Sequence, residues 1–216
     1  MLKLFRVRPF YQRIGKAPFY PSVKRGLDVL LAVAALLLTA PLFFGIALGI
    51  RLTSPGPILF RQIRMGQGCE PFLLYKFRTM SCRAPHDCAS AALASPRAYL
   101  SRFGAFLRAS SLDELPQLLN VLRGDMSLVG PRPVVLSEDM LIAYRLPCGA
   151  YRVRPGISGL SQVLGRDLLG EREKAVLDGL YAERLSLGND LAILLLTACC
   201  VLTRRGLHEG TLPRQE

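Results

Sequence analysis

Residues 29–50 read VLLAVAALLLTAPLFFGIALGI and form the longest apolar run of the chain. It contains no charged side chain, and as an α-helix it extends about 33 Å, since each residue adds about 1.5 Å. That length covers the hydrocarbon core of a bilayer. The sequence therefore predicts a membrane segment, and a cleavable signal peptide or a buried core helix fits this stretch less well.

Pro41, near the middle of the segment, argues against a plain span. Proline removes a backbone hydrogen bond and kinks a helix, although spanning helices also contain prolines. Clustered lysine and arginine favour the cytosolic side. After the segment come Arg51, Arg61, Arg64, Lys76 and Arg78, with Glu70 as the acid among them. We therefore favour a re-entrant helix-hairpin over residues 24–51 that is broken at Pro41, with a true span as the main alternative.

Composition supports a protein at an anionic surface. The 216 residues carry a formal net charge of +12, half of them are hydrophobic, and the mean hydropathy is +0.29. This combination suggests a membrane or nucleic acid as the partner. Residues 1–25 hold seven lysines and arginines and no acid, which predicts a basic N-terminal arm over residues 1–23. The length fits one domain with an appended segment.

The six cysteines form no disulfide framework and no C-x-x-C pair, so a reducing cytosolic setting is favoured. Cys82, His86 and Cys88 come nearest to a zinc site. Their spacing is not a standard one and the surrounding loop is rich in Ala and Ser, so the metal interpretation is weak.

After the membrane segment, local patterns predict a compact catalytic domain over residues 52–216 of mainly helical α+β class. Thr53-Ser54-Pro55-Gly56-Pro57 predicts a helix stop, and the apolar runs 58–63 and 72–77 predict a β-hairpin. Residues 84–96 and 154–159 read as loops. Helices are predicted over residues 97–108, 115–122, 134–146 and 171–186, and the apolar run 191–202 reads as a core or interfacial helix.

The densest chemistry lies in residues 110–133, SSLDELPQLLNVLRGDMSLVGPRP. Ser111 and Glu114 match a capping box, but Pro116 would then fall where its missing N–H is needed. A helix that starts at Asp113 avoids this conflict, and its dipole would keep the carboxylate ionised and attract phosphate. An ionised aspartate is suited to act as a nucleophile toward phosphorus or as a Mg²⁺ ligand.

Several basic residues accompany this acid pair. Arg132 lies in the turn Gly130–Pro133 and Arg154 precedes Pro-Gly, and a rigidly held guanidinium suits bidentate phosphate binding. Lys76 and Arg78 close the predicted hairpin. Each of these is a candidate phosphate contact, although isolated basic residues are more often solvated surface.

Four ordered motifs carry a family resemblance: SPGPILFRQIRMG (54–66), YKFRTM (75–80), SLDELPQLLNVLRGDMSLVGPRP (111–133) and VRPGISGLSQVLGR (153–166). Following a basic flank and a proline-broken apolar segment, they resemble the bacterial sugar transferases, and specifically the small monotopic phosphoglycosyl transferases. The resemblance extends from about residue 24 to about residue 205.

The resemblance implies transfer of a sugar 1-phosphate from a UDP-sugar to a polyprenyl (undecaprenyl) phosphate, with release of UMP. Asp113 is implied to be the nucleophile and a Mg²⁺ ligand, and Glu114 to assist it. Lys76, Arg108, Arg132 and Arg154 are implied to bind phosphates. The reaction would be the first membrane step of a glycoconjugate pathway, such as exopolysaccharide synthesis. It would take place at the cytosolic face of the bacterial inner membrane, among phospholipids and without nucleic acid. A homodimer is one option for the oligomeric state.

The sequence departs from the family pattern at two places. Ala40 stands where the family often has Ser before the proline, and Thr39 is expected to supply a backbone-directed hydroxyl instead. Trp and Asn are absent from residues 159–166, which puts any base or sugar contact at those positions in doubt. A non-catalytic, membrane-anchored basic module that binds anionic lipid or nucleic acid remains the alternative function.

Overall fold

The computed structural model describes residues 19–85, 96–165 and 168–203. Most of the predicted basic arm, the zinc candidates His86 and Cys88, and most of the predicted 84–96 loop lie outside these residues. Within them the chain is mainly helical and carries small β-sheets. The predicted α+β class is therefore confirmed.

Helix α1, Tyr20–Thr53, contains the whole apolar stretch. It begins four residues before the predicted membrane segment and ends at the predicted stop, where Ser54 adopts an extended conformation. By length and composition it is able to cross a membrane. Its exposed large apolar side chains include Leu30, Leu31, Val33, Leu37, Leu38, Leu42, Phe44 and Leu48.

Pro41 lies inside α1 and does not end it, so the apolar segment is one helical element rather than two. Two residues before the proline, the Thr39 hydroxyl donates to the carbonyl of Ala35 at 2.7 Å. This bond is the backbone-directed one that the sequence predicted, and such bonds often accompany helix bends. The re-entrant path itself stays a prediction.

Both halves of α1 pack against the rest of the protein. In the first half, Ala32 is buried in an apolar cluster that includes Leu118 and Val121. In the second half, Ile46 is buried in another cluster that includes Phe77. The helix is therefore held along two separate parts of its length, with exposed apolar residues between and around them.

A buried carboxylate joins the start of α1 to the C-terminal part of the chain. Asp190 accepts hydrogen bonds from the hydroxyl of Tyr20 at 2.7 Å and from the ammonium of Lys24 at 2.5 Å. Its other oxygen accepts from the hydroxyl of Tyr181 at 2.7 Å. Because all three donors meet one buried acid, this junction satisfies groups that would otherwise be costly to bury.

The predicted hairpin is present after α1. Strands β1, Leu59–Met65, and β2, Pro71–Phe77, pair antiparallel, with Leu59 opposite Phe77 and Met65 opposite Pro71. The remaining elements are helices α2, Arg102–Ala109, and α3, Gln117–Arg123, strand β3, Ser127–Val129, helix α4, Asp139–Cys148, strand β4, Gly156–Ser158, and helices α5, Leu160–Leu164, α6, Glu171–Glu183, and α7, Leu187–Thr203.

Strand β4 corrects the sequence reading of residues 154–159 as a loop. It pairs in parallel with β3, with Ser127 opposite Gly156 and Val129 opposite Ser158. The two backbones approach so closely that a Cβ on Gly130 would lie 2.3 Å from the carbonyl oxygen of Arg154. Residues 134–146 are also corrected, because α4 begins only at Asp139. The parallel pair fixes the position of the turn that follows β3.

Candidate active site

The acid pair lies in a short 3₁₀ turn, Leu112–Glu114, rather than at the start of an α-helix. Ser111 adopts a left-handed conformation, with φ of 57°, and its side chain caps nothing. Helix α3 begins at Gln117, after Pro116. The expectation that a helix dipole at Asp113 keeps the carboxylate ionised is therefore wrong, because the chain forms a tight turn there and starts its helix later.

Glu114 is the centre of an ion-pair group between this turn, strand β2 and the Gly130–Pro133 turn. Its Oε1 accepts from the ammonium of Lys76 at 2.7 Å. The same oxygen accepts from the guanidinium of Arg132 at 3.4 Å. Lys76 and Glu114 are mostly buried, whereas the Arg132 side chain is 44% exposed. Arg132 is therefore the member of the group best placed to meet a ligand from solvent.

Asp113, next to this group, is buried. Burial raises its pKa above the ordinary value, and the negative charge of Glu114 adds to that effect. The positive charges of Lys76, Arg108 and Arg132 act in the opposite direction and lower its pKa. A buried carboxylate that faces three cations is typical of a functional site, because the cations also attract an anionic ligand.

Lys76 has its pKa lowered, first by burial and then also by the charge of Arg132. Glu114 and Asp113 raise it again. The structure thus brings together Asp113, Glu114, Lys76, Arg108 and Arg132 of the predicted site residues.

Arg78 and Arg154 have other contacts. The guanidinium of Arg78 donates to the carbonyls of Ser54 at 2.7 Å and Pro55 at 2.5 Å, just after α1. The Nε of Arg154 donates to the carbonyl of Gly124 at 2.8 Å. Neither arginine is among the charges that shift the pKa of Asp113. Their phosphate contacts stay predictions, and in the structure both guanidinium groups donate to backbone carbonyls.

Arg64 is a site residue that the sequence reasoning did not select. It donates to the carbonyl of Pro133 at 3.2 Å and to the side chain of Gln62 at 2.6 Å. Burial, together with the charge of Arg132, lowers its pKa to about 10. The sequence feature that could have selected Arg64 is its pairing with the polar Gln62. The two residues are two positions apart and hence lie on one face of a strand.

The carboxylates of Asp113 and Glu114 offer the oxygen ligands that Mg²⁺ prefers. Within residues 19–85, 96–165 and 168–203 no group of three or more His, Cys, Asp or Glu side chains comes together. Mg²⁺ commonly takes one or two carboxylates and completes its octahedron with waters and ligand phosphates. Asp113 beside Glu114 fits an ion that arrives with a phosphorylated ligand, and does not form an all-protein metal cage.

Comparison with known sequences agrees with the motifs. Residues 19–204 match the family described as bacterial sugar transferase. The matched region contains every described element of the site, from α1 to α7.

Three relatives illustrate the similarity. The chain is 47% identical over 190 residues to the UDP-glucose:undecaprenyl-phosphate glucose-1-phosphate transferase of Caulobacter vibrioides, covering 83% of this chain and 70% of that protein. It is 40% identical to the UDP-N-acetylgalactosamine-undecaprenyl-phosphate N-acetylgalactosaminephosphotransferase of Aeromonas hydrophila, covering 88% of this chain and 46% of that protein. The exopolysaccharide production protein ExoY of Rhizobium meliloti is 38% identical, with 88% and 90% covered. The chain thus spans less than half of the Aeromonas protein and most of the other two.

Proposed function

The chain belongs to the bacterial sugar transferase family, and from this we propose that it transfers a sugar 1-phosphate from a UDP-sugar to undecaprenyl phosphate in the membrane. The names of the Caulobacter and Aeromonas relatives support this reaction class. The name of the Rhizobium relative supports a place in exopolysaccharide or a related glycoconjugate synthesis.

The observation that carries the proposal is the buried Asp113 carboxylate among Lys76, Arg108 and Arg132. We propose two displacement steps. A carboxylate oxygen of Asp113 first attacks the β-phosphorus of the UDP-sugar, and the bond from that phosphorus to the bridging oxygen breaks as UMP leaves. An oxygen of the lipid phosphate then attacks the same phosphorus, and the bond to Asp113 breaks. This yields the polyprenyl-diphosphate sugar and the free carboxylate.

The surrounding groups have distinct roles in this scheme. The guanidinium groups of Arg108 and Arg132 balance the negative charge of the donor diphosphate. This negative charge increases on the leaving group as UMP departs. Glu114 orients the Arg132 side chain through their contact, and Lys76 holds Glu114 in place. Asp113 fits a Mg²⁺ ion that comes with the donor, and such an ion would neutralise charge on the diphosphate.

For the membrane, we propose the re-entrant path with both ends of α1 on the cytosolic side. Its support is that both halves of α1 pack against the same catalytic domain. A straight helix would place Ala32 and Ile46 about 21 Å apart. The cluster of Ala32 nevertheless includes Leu74, and the cluster of Ile46 includes Phe77. Leu74 and Phe77 are three residues apart on one strand, so they lie only about 10 Å from each other.

The reaction is tested with the full chain in nanodiscs that contain undecaprenyl phosphate. UMP release is measured with Mg²⁺ and a panel of UDP-sugars that includes UDP-glucose and UDP-N-acetylgalactosamine. We expect UMP release with one of the donors and none from Asp113→Asn. In the wild type without acceptor lipid, mass spectrometry should find a phosphosugar on the peptide containing Asp113. Wild-type turnover by Asp113→Asn would refute the covalent route.

The path of α1 is tested in a variant whose native cysteines are replaced by serine. Single cysteines are introduced as Pro21→Cys and Leu52→Cys, and intact cells and inverted vesicles are labelled with an impermeant maleimide. Both positions should react only in inverted vesicles. Labelling of the two positions from opposite sides would instead establish a span.

A further inference from the structure

Beyond the groups that face the proposed substrate, we propose that Arg145 is a positioning residue that fixes the main chain of the Gly130–Pro133 turn so that Arg132 reaches Glu114 and the donor diphosphate. This inference rests on the proposed function for the role of Arg132. It adds a residue of α4 whose side chain bonds to Asp178 and to the carbonyl of Arg132.

Arg145 is buried, with 2% of its surface exposed, and its guanidinium donates to a carboxylate and to a backbone carbonyl. Its Nε and Nη2 donate to one oxygen of Asp178 on α6, at 2.9 Å and 2.5 Å. Its Nη1 donates to the carbonyl of Arg132 at 2.8 Å. The second oxygen of Asp178 accepts from the hydroxyl of Ser161 at 2.8 Å.

The bond to Arg132 belongs to a set that holds the whole turn. Three consecutive carbonyls of the turn accept hydrogen bonds from three different elements. The carbonyl of Pro131 accepts from the backbone N–H of Gly156 in β4 at 2.9 Å. The carbonyl of Pro133 accepts from Arg64 in β1 at 3.2 Å. With Arg145 on the middle carbonyl, the backbone is fixed and the Arg132 side chain is left to extend toward Glu114.

A purely structural explanation accounts for only part of this arrangement. An ion pair between Arg145 and Asp178 would join α4 to α6 without any contact to the turn. Arginine is needed in addition because its planar fork reaches a carboxylate and a carbonyl at once, whereas the single ammonium of lysine does not present donors in that fixed geometry. The contact of Arg145 that leads toward the site is its hydrogen bond to the carbonyl of Arg132 in the turn.

The test is a double-mutant cycle on the full chain in nanodiscs, with the UDP-sugar of the panel, such as UDP-glucose or UDP-N-acetylgalactosamine, from which the wild type releases UMP. It compares the wild type, Arg145→Lys, Arg132→Ala and the double variant, with kcat, KM and Tm measured for each. Because small displacements of a positioning group cost up to about a hundredfold, we expect Arg145→Lys to lower kcat/KM by about ten- to a hundredfold. The double variant should lie within about twofold of Arg132→Ala alone, since coupled residues are not additive.

Ser161→Ala is the matched control, because it removes a donor from Asp178 and leaves the bond from Arg145 to Arg132 in place. We expect it to lower Tm while kcat/KM changes by less than about threefold. Hydrogen exchange of the peptide spanning residues 126–138 should be faster in Arg145→Lys and unchanged in Ser161→Ala.

Three outcomes would overturn the proposal: an effect of Arg145→Lys that multiplies with that of Arg132→Ala, a lower Tm with wild-type kcat/KM, or unchanged exchange in residues 126–138. Failure of the proposed function is distinguishable, since it shows as a wild-type protein without UMP release from any donor. The exchange measurement then still decides whether Arg145 holds the turn.

Discussion

Replacing Asp113, the proposed nucleophile, should stabilise the folded protein and abolish its activity. Burial raises the pKa of Asp113, so the folded state binds this proton more tightly than the unfolded state does. Stability then falls as pH rises from the ordinary aspartate pKa toward the raised folded value, and the loss persists at higher pH. Asp113→Asn removes the carboxylate and with it this loss. The variant should therefore be more stable than the wild type at pH 7.

The size of the gain is limited because Lys76, Arg108 and Arg132 offset part of the burial penalty. A single stabilising substitution commonly contributes about 0.5–2 kcal/mol. At about 2–4 °C per kcal/mol for a chain of this size, Tm should rise by about 1–8 °C. Thermal unfolding in nanodiscs at pH 7 measures the shift. At pH 4, close to the ordinary aspartate pKa, the increase in Tm should be smaller, because the raised pKa lets more of the wild-type carboxyl group carry its proton than at pH 7.

Asp139→Asn is the control, because Asp139 is an exposed carboxylate at the start of α4 and its removal relieves no burial. Its Tm should differ little from the wild type at both pH values. A lower Tm for Asp113→Asn than for the wild type at pH 7 would refute the expected pH-dependent stabilisation. A gain of equal size at both pH values would also refute it, because the pKa of Asp113 would then have no part in it.

Three further substitutions test other contacts. Lys76→Met should move the acid limb of the pH dependence of kcat/KM to higher pH, because the Lys76 ammonium is the foremost charge that lowers the pKa of Asp113; an unmoved limb in a UMP-release assay would contradict this. Asn120→Leu breaks the hydrogen bonds of Asn120 with Leu73, Tyr75 and Asp125. At about 1 kcal/mol for each bond, the free energy of unfolding should fall by about 3 kcal/mol, which a lower Tm would show. Arg78→Met should also lower Tm, because two carbonyls after α1 lose their hydrogen-bond donor. An increase in the KM for the UDP-sugar without a lower Tm would instead favour the predicted phosphate contact.

The elements that depend on neighbouring residues were predictable from the sequence. The uncharged run over residues 29–50 predicted the long helix, and the Pro-Gly-Pro stop after Thr53 predicted where it ends. The two apolar runs around residues 65–68 predicted the hairpin. Each signal is local, because helix ends and tight turns are decided by residues a few positions apart.

Pairings between distant residues were not predictable in the same way. Strands β3 and β4 have three residues each, too few to show a period of two, and their parallel pairing depends on close backbone contact. The 3₁₀ turn at Asp113 follows a left-handed Ser111, a conformation that serine rarely adopts and that no local pattern announced.

The membership of the candidate site was partly predictable. Charge and spacing selected Asp113, Glu114 and Arg132, which the structure brings together. They could not separate Lys76, which bonds to Glu114, from Arg78, two residues later, whose oxygen acceptors are backbone carbonyls. A carbonyl acceptor has no sequence signature, so arginines that hold the backbone look the same as arginines that hold a ligand.

The junction at Asp190 has a consequence for how the protein is made. Lys24 meets an acid that is translated 166 positions later. At about 5–20 residues per second, the ribosome needs about 8–33 s between the two residues. The apolar helix, in which Asp28 lies 3.9 Å from the Lys24 ammonium, is thus synthesised long before α7 supplies the carboxylate that accepts the hydrogen bond from this lysine. The junction between α1 and the catalytic domain therefore closes only after α7 has been made, rather than in chain order.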